Sequence, residues 1–210
     1  TVATPVGWLT DSKATLEKLE DQSLLAKGVN PDNDVYRVKY DLPAGVLQAL
    51  RLDVLGDASL PTGAPGRNPD NGNFVINEAE FYLVNTANPK EKRKLEFKAA
   101  FADFSQDGFS AEAMLDGKVE TAWAISQKGE SDVYTVPRNG EDASHYAEFE
   151  LAAPLEVKQP SLLMVVLKQS QNLKQHNVGR FKISVSNTEL KRPAVETPVV
   201  AEIDIVPGQE

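Results

Sequence analysis

Along most of this 210-residue chain, apolar and polar positions alternate one by one. Tyr36, Val38 and Tyr40 alternate with Arg37, Lys39 and Asp41; Leu50, Leu52 and Val54 alternate with Arg51 and Asp53. Leu95, Phe97, Ala99 and Phe101 alternate with Glu96, Lys98 and Ala100, and Phe181, Ile183 and Val185 with Lys182, Ser184 and Ser186. A period of two gives each segment one buried and one wet face, the mark of antiparallel sheets. Leu162–Leu167 (LLMVVL) lacks alternation and reads as a central strand covered on both faces. Helical signals are weak: two turns over Asp11–Leu19 and one over Ser110–Leu115.

Turn formers separate these segments. Gly56–Asn73 is dense in Gly, Pro, Asn and Asp, and reads as a long loop; Gln127–Ser144 is a second long polar connection. Short strands joined by long loops predict an all-β sandwich spanning residues 1–190. Residues 191–210 read as a C-terminal linker around Pro193 and Pro198, followed by an extra strand or docking segment at Val199–Val206. The chain opens at Thr1 with no leader-like run, as a mature fragment of a longer protein does.

Composition narrows the functional classes. The hydrophobic share, 41%, suits a folded globule. No apolar run approaches a membrane span, so no membrane insertion is expected. A net charge of -9 repels phosphate backbones, so nucleic acid is not an expected partner. Lys90–Lys98 is the one basic cluster, and it reads as a solvated loop entering a strand. The absence of cysteine excludes disulfides, thiolate catalysis and zinc-thiolate sites.

Phe109–Ile125 (FSAEAMLDGKVETAWAI) holds the most specific pattern. The Asp116-Gly117 turn is followed by Thr121 and then by Trp123 at the head of an apolar strand. A carboxylate, a hydroxyl and turn carbonyls are hard oxygen donors that a tight turn can aim at one point, which suits calcium. The alternative is an ordinary Asp-Gly turn in which Thr121 satisfies the backbone.

Asp116-Gly117, Thr121 and Trp123, with the later strand Tyr146–Leu151, resemble the discoidin or coagulation factor V/VIII C-type modules of the galactose-binding-like superfamily. A wider resemblance runs over roughly Leu24–Ser186. Its motifs are Leu50–Leu55, Ser59–Pro61, Gly66-Arg67, Asn71–Glu78, Ala102–Ser110, Trp123–Ile125, His145–Phe149 and His176–Phe181. These are similar to a domain of large exported bacterial proteins that also carry a planctomycete-type cytochrome c domain.

The resemblance implies a jelly-roll β-sandwich of two antiparallel sheets. Ile76–Phe81 precedes the Asp-Gly turn here, whereas its discoidin counterpart comes last, which implies a permuted strand order. The resemblance also implies a structural calcium held by Asp116, Thr121 and Glu78 side chains with the main-chain carbonyls of Ala113 and Lys118. Lys118 departs from the family, which has Asn or Asp there. Its further implications are an exported location, carbohydrate or another extracellular ligand, and contact with linked domains of the parent protein.

Trp123 is expected to fill the core, and Trp8 to pack near a terminus. Tyr134, in the second long loop, is the exposed-aromatic candidate for sugar stacking. Arg67, Asn68, Asp70, Asn71 and Asn73 crowd the first loop, where Arg67, Asn71 and Asn73 either grip ligand hydroxyls or hydrogen-bond the loop's own backbone. His145 and His176 are the two histidines; no nucleophile elbow, metalloprotease helix, P-loop or dinucleotide fingerprint accompanies them. The expected function is therefore non-catalytic carbohydrate binding within a larger exported protein, not catalysis. The alternative is a structural or protein-interaction domain that orients its neighbours.

Overall fold

The protein is described here from a computed structural model covering residues 1–86, 88, 91–129, 133–137 and 142–190. In chain order the strands are β1 (Pro5–Thr10), β2 (Ala14–Lys18), β3 (Leu24–Gly28), β4 (Asp34–Leu42), β5 (Gly45–Val54), β6 (Val75–Val84) and β7 (Lys92–Lys94). There follow β8 (Phe97–Ala102), β9 (Trp123–Ala124), β10 (Gln127–Lys128), β11 (Tyr134–Thr135), β12 (His145–Val157), β13 (Ser161–Gln169) and β14 (Arg180–Ser186). Two short 3₁₀ helices, Pro61–Gly63 and Ala111–Leu115, are the only helical elements among the described residues.

The strands form two antiparallel layers. One runs β1-β4-β13-β6-β7, with β9 also paired to β6; the other runs β2-β3-β14-β5-β12-β8. The ribbon β10-β11 stands apart from both. Alternation explains the packing between layers. Tyr36, Val38 and Tyr40 of β4, Leu163, Val165 and Leu167 of β13, and Phe81 of β6 face Leu50 and Leu52 of β5, Phe149 of β12, and Phe181 and Ile183 of β14 in one core. Phe81, Phe97 and Phe149 meet edge to face or tilted at 4.9–5.9 Å, the spacing that aromatic quadrupoles favour.

Three expectations change. Asp11–Leu19 is not helical. Asp34 anchors a bend there through hydrogen bonds from the Asp11 and Ser12 amides (3.0 and 3.2 Å), and Ala14–Lys18 then pairs with β3, placing Leu16 in the core. Tertiary pairing outweighs a marginal local helix signal. Ser110–Leu115 does give one turn, but of 3₁₀ type. Leu162–Leu167 is indeed central, between β4 and β6. Its second face is not covered by another layer of described residues: Leu162 and Met164 are half-buried among Lys39, Asp41, Tyr82 and Val84. Val199–Val206 and the rest of 191–210 lie outside the described residues.

The Gly56–Asn73 loop is folded back on the sandwich. A Cβ on Gly66 would lie 2.0 Å from the Asn73 carbonyl oxygen, so only glycine permits that approach. This closeness lets the Gly66 amide donate to the Gly72 carbonyl at 2.8 Å and the Gly179 amide to the Pro65 carbonyl at 2.7 Å.

Candidate functional site

Local sequence builds the Asp116 turn. Ala111 and Met114 are buried and dock the 3₁₀ helix on the core, so the helix ends at Asp116 in a fixed place. Gly117 has φ +77°, the left-handed region that glycine enters without strain. The reversal brings the Lys118 amide to Asp116 Oδ1 at 2.8 Å. Ala122 and Trp123 then lead into β9, whose pairing with β6 sets Trp123 opposite Ile76. Trp123 is fully buried, packs edge-on to Phe74 at 5.0 Å, and donates its indole N–H to the Phe104 carbonyl at 3.0 Å. It is a core residue and offers no ligand face.

Glu78 lies two residues beyond Ile76 on β6. Between them the β6–β13 register slips, with Gln169 opposite Ile76 and Lys168 opposite Glu78. Asn77 sits at that slip, fully buried. Its amide nitrogen donates to the Val119 and Thr121 carbonyls at 2.9 and 3.3 Å, and its oxygen accepts from the Gln171 amide at 3.0 Å. Sequence reading did not single out Asn77; the signal was an asparagine interrupting an apolar strand. Its effect is to tie the Asp116 turn to β6, beside Glu78.

Around Thr121 the oxygens crowd. Its hydroxyl lies 3.0 and 2.9 Å from the two Asp116 carboxylate oxygens and 3.1 Å from the Lys118 carbonyl. One hydroxyl proton serves only one of those three acceptors. The Ala113 carbonyl accepts a long 3.5 Å contact from the Asp116 amide. Glu78 is 5% exposed, and its Oε1 is buried with no hydrogen-bond partner. Burial, and then the nearby Asp116 charge, push its carboxyl above the usual carboxylate range, and the pull of Lys168 does not cancel this.

Lys168 faces Glu78 in register but gives its ammonium to Glu80 Oε1 at 3.0 Å. Tyr82 also donates to Glu80, at 2.7 Å. Burial alone would raise Glu80, but these hydrogen bonds and the Lys168 and Lys94 charges outweigh it and hold Glu80 low. Of two neighbouring acids on one strand face, one is saturated and the other is left without a donor.

Asp116, Thr121 and the Ala113 and Lys118 carbonyls lie on one turn, and Glu78 lies on the adjoining strand, near enough for its carboxyl to feel the Asp116 charge. Carboxylate, hydroxyl and carbonyl oxygens are the donor types that a hard cation takes. No group of three or more acidic, histidine or cysteine side chains capable of holding a metal occurs among the described residues, so the remaining ligands would be neutral oxygens.

Of the three residues named in the first loop, Asn71 serves the loop's own backbone, while Arg67 and Asn73 tie the loop to neighbouring segments. Arg67 is 7% exposed and donates to the Val29 and Gly28 carbonyls at 2.9 and 2.7 Å. Asn71 Oδ1 accepts from the Asn73 amide at 2.9 Å. Asn73 is buried; its amide nitrogen donates to Ser126 Oγ and Gln106 Oε1 at 3.0 and 3.2 Å, and its oxygen accepts from the Ile125 amide at 3.1 Å. Tyr134 is exposed on the β10-β11 ribbon, apart from the Asp116 turn.

His145 forms a second polar cluster. It is buried, with Nδ1 3.0 Å from Asp103 Oδ2 and Nε2 3.2 Å from the Pro137 carbonyl. Both neighbours are acceptors when Asp103 is ionised, so both ring nitrogens donate only in the imidazolium form. Burial works against that charge, but Asp103 outweighs it and raises the His145 pKa; His145 in turn helps hold Asp103 low. No helix of the described residues is long and apolar enough to cross a membrane. No protein-family model, curated protein or solved structure matches this chain.

Proposed function

We propose that this chain is a non-catalytic carbohydrate-binding module of the galactose-binding-like jelly-roll type, working within a larger exported bacterial protein. Strand order supports the jelly-roll part of this reading, and the carbohydrate class follows from the resemblance to the discoidin-type modules. Counting eight strands from β3 through β7 and then β12 through β14, the layers run first-eighth-third-sixth and second-seventh-fourth-fifth. A jelly roll wound from two Greek keys has this order. The Asp116 turn enters after the strand that bears Glu78, which supports the permuted variant. A structural calcium at Asp116, Thr121 and Glu78, with the Ala113 and Lys118 carbonyls, supplies the charge that Glu78 lacks and pins the turn to β6.

A glycan-array screen of this chain in calcium tests the reading. Binding to a defined glycan class is the expected result, and a blank array overturns it. The alternative, a scaffold that orients linked domains, draws on the half-buried Leu162 and Met164 on the outer face of β13 and on the internal engagement of Arg67 and Asn73. A blank array together with tight association with a linked domain is its signature.

A further inference from the structure

We propose that His145 is a proton-operated latch: as an imidazolium it holds the Pro137 carbonyl and fixes the exit of the β10-β11 ribbon to the sandwich, and on losing one proton it lets that exit go.

The ribbon is anchored where the chain enters it and latched where the chain leaves. Entry is from Ser126, which is buried and hydrogen-bonded to Asn73 and Gln106 at 3.0 and 2.5 Å. Exit is through Val136, which packs against the core, and then Pro137, whose carbonyl lies 3.2 Å from His145 Nε2. Proline has no amide hydrogen, so the carbonyl is the one backbone group through which that residue can bond. The ribbon displays Val133 and Tyr134, 56% and 44% exposed, so the latch governs how firmly two exposed apolar side chains are presented.

Alternation along β12 turns His145 inward with Ala147 and Phe149, opposite Val54 of β5. The Phe104 ring lies 5.5 Å away. Asp103, just beyond β8, faces Nδ1 at 3.0 Å and is fixed by the Tyr146 amide at 2.8 Å. Asp142, on the approach to β12, adds a more distant negative charge and is itself engaged by Ser144. Arg51 and Asp53 of β5 lie on the other face of the layer with Tyr146. Both direct partners of the ring are acceptors, so it satisfies the two of them only while it carries two N–H groups.

Loss of one proton breaks this symmetry in a fixed way. The remaining hydrogen stays on Nδ1, because a bond to a carboxylate is stronger than one to a neutral carbonyl. Nε2 then turns a lone pair toward the Pro137 carbonyl, and attraction becomes repulsion in a place closed to water. Asp103 outweighs burial and raises His145 above its ordinary 6.5, so the latch is closed below 6.5 and opens as pH rises through the raised folded value. Asp103, held below its ordinary 3.8, stays charged throughout that range.

The test is an NMR titration of the whole chain, starting below pH 6.5. Long-range ¹H–¹⁵N spectra read the hydrogens on the His145 ring, and ¹⁵N relaxation reads backbone order at Tyr134, Thr135 and Val136. Both ring nitrogens should be protonated at the start and Nδ1 alone at the end. Backbone order parameters should fall from about 0.85 to below about 0.6 with the same midpoint. Asp103→Asn removes the carboxylate and should move both midpoints together to lower pH; if that variant does not fold, the coincidence of midpoints in wild type decides alone. A ring already neutral at pH 6.5, ribbon order that persists through the ring titration, or a ribbon midpoint that departs from that of the ring in either protein overturns the latch.

Discussion

Glu78→Gln isolates the unpaired carboxylate, because it removes charge and keeps shape. In the calcium-free chain Glu78 is 5% exposed, lacks a donor at Oε1 and shares its surroundings with Asp116. An unsatisfied buried polar group costs about 1–3 kcal/mol. Glutamine is neutral and brings two N–H donors that the Asp116 carboxylate can accept. The variant should therefore be more stable than wild type by about 1–3 kcal/mol in EDTA near pH 7, or about 2–4 °C of melting temperature per kcal/mol at this chain length.

The effect depends on pH in a fixed direction. The folded pKa of Glu78 lies above its ordinary 4.5, so the native chain holds that proton more tightly than the unfolded chain. Stability from this group is fully present below 4.5 and is lost as pH rises through the folded value. The two proteins should melt together at about pH 4 and separate toward pH 7. Calcium reverses the order, since only wild type offers the second carboxylate; at one hundred times its Kd the ion adds about 2.7 kcal/mol. Thermal melts followed by circular dichroism, with EDTA and then with calcium, read both parts. A Glu78→Gln protein that melts below wild type in EDTA at neutral pH would show that Glu78 has a stabilising partner, and the reasoning would fail.

Two further perturbations test other parts of the structure. Trp123→Ala should cost about 3–5 kcal/mol, since it empties a fully buried site and strands the Phe104 carbonyl; denaturant titration giving under about 1 kcal/mol would contradict the core role. The His145–Asp103 pair should contribute fully below the ordinary histidine value of 6.5 and fade as pH rises through the raised folded value of His145; at the acid end it is lost as pH falls through the lowered folded value of Asp103. The melting difference between wild type and Asp103→Asn should accordingly shrink as pH rises above 6.5, and a flat difference would refute the imidazolium assignment.

Much of the fold was legible because alternation is a local signal. Tyr36–Tyr40, Leu50–Val54 and Phe181–Val185 each show which side chains face inward, and each is a strand with those residues in the core. Ala14–Lys18 was not legible, because the Asp34 anchor that bends the chain ahead of it lies 22 residues beyond Ser12. The same limit governs the sites. The Asp116–Thr121 contact falls within six residues and could be read from spacing. The Asp103–His145 pair and the link from Asn77 to the Val119 carbonyl span 42 residues each, and only strand pairing brings them together.

Residue type also misleads where a loop folds inward. Arg67, Asn71 and Asn73 look like a ligand grip because guanidinium and amide groups recognise hydroxyls. Those groups also satisfy carbonyls and amides that a packed loop removes from water. Gly66 lets the loop close, because its missing Cβ lets Asn73 approach; Asn71 then serves the loop's own backbone, while Arg67 takes the Gly28 and Val29 carbonyls and Asn73 the Ile125 amide and the Ser126 and Gln106 side chains. Functional candidacy therefore passes to groups that the fold leaves unanswered. Lys168 stands opposite Glu78 yet binds Glu80, which also accepts from Tyr82 and lies 3.6 Å from Lys94. The acid left over lies beside the Asp116 turn, and its buried Oε1 has no hydrogen-bond partner among the described residues.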